Sequence, residues 1–294
     1  MIIQNRNPAS LIKRRRATRA EVAALKAALF DMISVQRPMT VRQVFYQATV
    51  HGLVEKTEQA YGRIQWTLAQ MRKDGDLPYS WLTDSSRSVY RVDSFETPKD
   101  AIRATARFYR KSLWAEAEVR VEIWCEKDAL SGVILPITDE YDVGLYVARG
   151  FASLSYLHAA AQEIAGAGKP TIIYHLGDHD PSGVMAAAKI EETLRDLAPE
   201  ADIYFERLAV TEYQKQQWNL PSRPTKKSSH DRGWRGESVE LDAIQPDLLR
   251  ELVRAAIEEH LPPDHFRVLK VAEESERAFL EQWATDRGGD DRPS

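Results

Sequence analysis

The chain has 294 residues, 43% of them apolar and 29% charged, with a formal net charge of −4. That length suits one large domain or two, and the apolar share is enough for real cores. The single cysteine, Cys125, excludes an intrachain disulfide framework and a cysteine-based zinc site. No stretch approaches the ~18 uninterrupted apolar residues of a membrane span, and the start MIIQNRNPAS lacks the apolar core of a signal peptide.

Charge is unevenly spread, and its local distribution matters more for nucleic-acid binding than the total. Residues 1–17 form a basic arm, with Lys13, Arg14, Arg15 and Arg16 together. Residues 285–294 are polar and acidic and are expected to be disordered.

Residues 18–95 read as three helices and a small ribbon. Apolar residues Val22, Leu25, Leu29 and Ile33 recur at helical spacing and stop before Pro38. Thr40 can cap a second helix, VRQVFYQATVHG, and Thr57 a third that closes at Gly75. Tyr79 to Val92 then reads as two short extended segments around Asp84-Ser85-Ser86. This order describes a winged helix, whose third helix commonly enters the DNA major groove. Arg63, Gln65, Arg72 and Lys73 would face phosphates or base edges, although the same fold also serves protein contacts. Arg42 and Tyr46 lie four apart on one side of the second helix. A tyrosine there is ordinarily a packed aromatic, and with a pKa near ~10 it attacks only with a neighbouring base, metal or cation. Residues 96–116 form a linker helix, from about Pro98 to Leu113, carrying Arg103, Arg107, Arg110 and Lys111 as a charged face.

Residues 117–284 alternate strands and helices. The strands are EVRVEIWC, VGLYVARG, TIIYHL and DIYFERLAV, separated by helices near 129–141, 153–165 and 184–197. Such alternation predicts a parallel sheet with helices on both faces. It brings Glu126, the Gly150 region, Asp178 and Asp180 to the carboxyl edge of the sheet, where open α/β sheets bind ligands. Three converging carboxylates repel one another unless a cation or protons intervene, and Mg²⁺ suits such oxygen donors. An isolated Asp-x-Asp reads equally as a cap for the next helix, with Asp180 or Ser182 as N-cap.

Glu126-Lys127-Asp128-Ala129, Arg149-Gly150-Phe151 and Gly177-Asp178-His179-Asp180-Pro181-Ser182-Gly183 resemble the Toprim domain of topoisomerases and primases. The similarity is nearest to the topoisomerase VI A subunit and the related meiotic double-strand-break protein. Those proteins also place a winged helix ahead of Toprim, with an Arg-x-x-Tyr-Tyr-like helix; Thr40-Val41-Arg42-Gln43-Val44-Phe45-Tyr46 is similar, with Phe45 for the first tyrosine. The resemblance spans about residues 20–260.

It implies an α/β chain with a CAP-like winged-helix domain over 18–95 and a Rossmann-like Toprim domain with C-terminal helices over 117–284. Tyr46 would attack a DNA phosphodiester and become 5′-linked, with Arg42 on the scissile phosphate. Glu126, Asp178 and Asp180 would hold Mg²⁺, or Mn²⁺ in its place. Lys127, Arg149, Lys226 and Lys227 join Arg63, Arg72 and Lys73 as expected DNA contacts. In the family, Tyr46 of one protomer would work with the metal site of the other, implying a homodimer on double-stranded DNA in the prokaryotic cytoplasm and nucleoid. No Gly-rich phosphate loop is present, so strand passage would need a separate ATPase subunit. Some relatives act as metal nucleases, so water attack with a structural Tyr46, or a non-catalytic assembly role, stands beside the first reading.

Residues 220–238 form a long polar loop with Arg223, Lys226, Lys227, Arg232, Trp234 and Arg235. It reads as a DNA-backbone track or a plain surface loop. Topoisomerase VI A-like proteins also have a Glu before Leu-x-Ala, so the resemblance makes Glu240, ahead of Leu241-Asp242-Ala243, a candidate for metal or support. Helices follow from Pro246 to His260 and from about Phe266 to Trp283, and His175, His179 and His230 lack zinc-ligand spacing.

Overall fold

The computed structural model describes residues 18–83, 94–150, 152–225, 234, 236–261 and 263–286. The basic arm, the second ribbon segment, Phe151, Lys226, Lys227, His230, Arg232, Arg235 and residues 287–294 of the acidic tail lie outside the described residues, whereas Thr285 and Asp286, expected in that tail, close the last helix.

Three threonines set the starts of the first helices. Thr18 accepts from the Glu21 N–H while the Glu21 carboxylate reaches back to the Thr18 N–H, opening α1 (Arg19–Gln36). Thr40 and Gln43 repeat this capping box at α2 (Val41–Val50), and Thr57 caps α3 (Glu58–Lys73). After α3, Gly75 takes φ of +81°, a conformation that favours glycine. Leu29 and Ile33 of α1, Val44 and Phe45 of α2, and Ile64 and Leu68 of α3 share one core.

The expected ribbon differs. Tyr79–Trp81 forms a 3₁₀ turn closed by the Trp81 N–H on the Pro78 carbonyl. The next two residues, β2 (Leu82–Thr83), pair in parallel with β1 (Met39–Thr40). The linker helix is also shorter than expected: α4 spans Pro98–Phe108. The chain leaves it because residues 109–111 are claimed by α10 (Pro263–Asp286). Arg277 donates to the Tyr109 carbonyl, and Glu273 takes the Lys111 N–H.

The second unit is a four-stranded, all-parallel sheet of β3 (Arg120–Cys125), β4 (Gly144–Val147), β5 (Thr171–Leu176) and β6 (Ile203–Ala209), in the order β4-β3-β5-β6. Parallel neighbours need crossover helices, supplied by α5 (Asp128–Glu140), α6 (Leu154–Ala167) and α7 (Pro181–Leu197). Val121, Ile123 and Cys125 of β3 face α5 and α9 (Pro246–Glu258), while Trp124 faces α6 and α7. Both faces of the central strands are therefore buried, as in other doubly covered sheets. A short helix outside the expected elements, α8 (Glu212–Gln217), follows β6 under a Thr211 cap.

The two units are joined through α2. Its Val44, Phe45 and Ala48 belong to the N-terminal core, but Tyr46 packs into the α/β core with Val239 and Leu241. Arg250 of α9 adds hydrogen bonds to the carbonyls of Gln36 and Pro38. Among the described residues no helix is long and apolar enough to cross a membrane.

Candidate functional site

β3 and β5 end side by side, with the Glu126 N–H bonded to the Leu176 carbonyl at 2.8 Å. From there Glu126 Oε2 accepts the Asp178 N–H at 2.9 Å. This approach depends on two glycines. A Cβ on Gly177 would lie 2.6 Å from His175 Cε1 and 2.8 Å from Glu126 Oε2. One on Gly183 would lie 2.4 Å from the Asp178 carbonyl and 3.1 Å from Glu126 Oε2. Asp180 caps α7 through the Gly183 N–H at 2.8 Å, so the helix-cap reading holds for that residue. It does so inside the field of the other carboxylates. Burial raises the pKa of Glu126 above the ordinary carboxylate range, and repulsion from Asp178 and Asp180 adds to it. Burial likewise raises Asp178, against the pull of Lys127.

Lys127 is turned inward. Its Nζ lies 2.7 Å from Asp242 Oδ2, 2.9 Å from Asp178 Oδ1 and 3.6 Å from Glu240 Oε2. Burial alone would lower its pKa, but these three carboxylates outweigh that and raise it, keeping the ammonium charged. The lysine expected on DNA is thus the internal counter-charge of an acidic cluster. Glu240 and Asp242 complete that cluster. Glu240 takes Arg42 Nη1 at 2.7 Å and lies 3.2 Å from Arg223 Nε, an ion pair without hydrogen-bond alignment. Asp242 accepts from the Thr40 hydroxyl at 3.2 Å. The pairing of Asp242 with Lys127 spans 115 residues and leaves no local spacing in the sequence, and Arg223 of the polar loop turns to Glu240.

A cleft of about 590 Å³ opens between the units onto Asp178, Glu240 and Asp242, with Arg42, Tyr61 and Arg72 among its walls. Arg72 lies 5.5 Å over the Tyr79 ring and donates to the Leu82 carbonyl. The other expected DNA contacts are dispersed. Arg63 faces the Gly52–Leu53 side of α3, Lys73 is exposed, and Arg149 pairs with Asp128 at 2.8 Å. His179 turns away from the carboxylates, toward Glu212 at 3.1 Å and the Trp234 ring at 5.0 Å.

Tyr46 is only 4% exposed. Burial raises its pKa well above that of a free phenol, Glu240 raises it further, and Lys127 and Arg42 oppose. Lys56 lies 5.3 Å over its ring.

The donor set fits a hard divalent cation in kind. It consists of carboxylate oxygens, partly buried and mutually repelling, in a niche that glycines keep open, with an ammonium already bridging Asp178 and Asp242. Among the described residues, no three acidic, imidazole or thiol groups converge as a ready cage. Asp178 is drawn to Lys127 and to the Leu241 N–H at 2.8 Å, and Asp180 to its own helix. No protein-family model matches the sequence, and no curated protein matches it.

Proposed function

We propose that this chain is a Mg²⁺-dependent DNA strand-breaking protein, built as a winged helix followed by a Toprim domain in the manner of type IIB topoisomerase A subunits. The observation that carries the reading is the run of contacts from Arg42 through Glu240 and Lys127 to Asp178. It joins the Arg-x-x-x-Tyr helix to the acidic edge of the parallel sheet.

In this reading Glu126, Asp178 and Asp180 hold the metal, which when bound stabilises charge developing on the phosphate and the leaving oxygen. Arg42 exchanges Glu240 for a DNA phosphate. Tyr46 forms the new phosphorus–oxygen bond as the bond to the 3′ oxygen breaks, and the phenol proton ends on that oxygen, leaving a 5′-phosphotyrosyl link and a free 3′ hydroxyl. Its burial requires α2 to part from Val239 and Leu241 before it can attack. A homodimer on duplex DNA and a separate ATPase subunit belong to the same proposal, as does a nucleoid location.

The burial and raised pKa of Tyr46 favour a second reading, in which water attacks and the tyrosine is structural. Supercoiled plasmid incubated with protein and Mg²⁺, then quenched in detergent with and without proteinase, separates the two. Protein-linked breaks lost in Tyr46→Phe support transesterification. Protein-free breaks that survive Tyr46→Phe and vanish in Asp178→Ala support the nuclease. Plasmid left intact under both quenches counts against strand breakage by this chain alone.

A further inference from the structure

Arg207 lies outside every motif in the sequence, yet it sits directly behind the acidic turn. It is the fifth of seven residues in β6. His175 is its register partner on β5, and the next pair joins Leu176 to Ala209, so Leu208 is bulged out. Bulges re-aim neighbouring side chains, and here the guanidinium runs under the turn 177–183. Nε donates to the Val210 carbonyl at 3.1 Å, and Nη2 to the carbonyls of Gly177, at 3.0 Å, and Asp178. Nη1 reaches the Gly183 carbonyl at 3.5 Å. One planar fork therefore holds both ends of the segment that carries Asp178 and Asp180. A lysine, with donors around a single point, has no equivalent geometry.

We infer that Arg207 is a positioning residue for divalent-cation binding: it fixes the 177–183 turn so that Asp178 and Asp180 can act together with Glu126. This rests on the reading that those three carboxylates bind the cation. The sign of the effect discriminates. Arg207 feels the charges of Glu126, Asp178 and Asp180, so removing a nearby positive charge would by itself tighten cation binding. Removing the clamp would loosen it, and outer-shell partners of this kind are commonly worth about 10–100-fold in metal affinity.

The test titrates Mn²⁺, read by the loss of free-ion paramagnetic signal, into wild type, Glu126→Gln, Arg207→Met and Arg207→Lys. Hydrogen exchange of the 178–183 amides is followed in parallel. The inference expects saturable binding by wild type that is lost in Glu126→Gln. It expects binding at least about tenfold weaker in Arg207→Met, faster exchange confined to the turn, and partial recovery with added guanidinium ion. Arg207→Lys keeps the charge and serves if the methionine variant fails to fold; it should also bind more weakly. Unchanged or tighter binding in either folded variant overturns the inference. Absence of Mn²⁺ binding by wild type overturns the carboxylate reading instead. The exchange data then stand alone, and equal turn protection in wild type and variant overturns the positioning role.

Discussion

Arg42 on α2 and Glu240, just before the 3₁₀ turn Leu241–Ala243, meet at 2.7 Å across the junction of the two units. The Glu240 side chain is 10% exposed and serves three cations, since Lys127 and Arg223 also approach it. The Arg42 side chain is 44% exposed. The two ends of this pair therefore carry different weight. Glu240→Ala leaves partly buried cations without their partner and is expected to cost about 3 kcal/mol, whereas Arg42→Ala should cost within about 1 kcal/mol. Lys127, Arg42 and Arg223 together hold the Glu240 pKa below the usual range despite its burial. Its stabilising contribution is thus present above the unfolded pKa of ~4.3 and lost as pH falls through the lower folded value. Denaturant unfolding of both variants at neutral and acid pH checks this; equal losses in the two would contradict it.

Glu126 works in the opposite sense. Its folded pKa lies above the unfolded one, through burial and the repulsion of Asp178 and Asp180. Its ionised form is a cost to the folded state, absent below about pH 4 and fully present once pH exceeds the raised folded value. Glu126→Gln keeps an oxygen for the Asp178 N–H and removes the charge. Without metal at neutral pH it should be more stable than wild type, by on the order of 1 kcal/mol, and should no longer gain stability when Mg²⁺ is added. Thermal melts with and without Mg²⁺ measure both, and a destabilised variant would show that the carboxylates do not repel in the folded chain.

The sheet was legible in the sequence because its strands are short runs set between helices of distinct period, the central two mostly buried; TIIYHL matches β5 residue for residue. Capping chemistry was legible too, as at Thr40 and Thr57. Glu126, Asp178 and Asp180 came out as neighbours because strand ends in a parallel sheet share an edge. What stayed hidden depends on partners distant in sequence. Lys127 looked like a surface cation, and only the fold shows Asp178 and Asp242 beside it. Arg207 is one charged residue in an edge strand, and the bulge that aims it inward has no sequence mark. The end of α4 at Phe108 likewise follows from the pull of α10, not from its own helical pattern.

Gly183→Ala tests the close approach of the acidic turn. The added methyl would meet the Asp178 carbonyl, backbone that cannot swing aside, at 2.4 Å, and Glu126 Oε2 at 3.1 Å. Overpacking of this kind costs about 1–3 kcal/mol, and the shift would separate Asp178 from Glu126. Gly166→Ala in α6 is the control. Its Cβ meets nothing within 4 Å, so a gain of about 0.5–1 kcal/mol is expected from helix propensity. Stability and Mn²⁺ affinity should both fall in the first variant and neither in the second.

Glu273 should prove the residue that holds α4 to α10. Its side chain is 3% exposed and receives Arg277 at 2.7 Å, Arg110 at 3.3 Å and Lys270 at 3.5 Å. It also takes the Lys111 N–H at 3.0 Å. A buried carboxylate with this many donors leaves several of them unsatisfied when it is lost. Glu273→Ala is therefore expected to cost about 3 kcal/mol. Glu273→Gln keeps two acceptor or donor positions but not the charge, and should cost less. Because Glu273 lies far along the chain from the acidic edge and contacts none of its carboxylates, Mn²⁺ affinity of the folded variants should match wild type. Faster hydrogen exchange should appear in α4 and around Tyr109 before it appears in the sheet. Loss of cation affinity at unchanged stability would show instead that this corner is coupled to the acidic site.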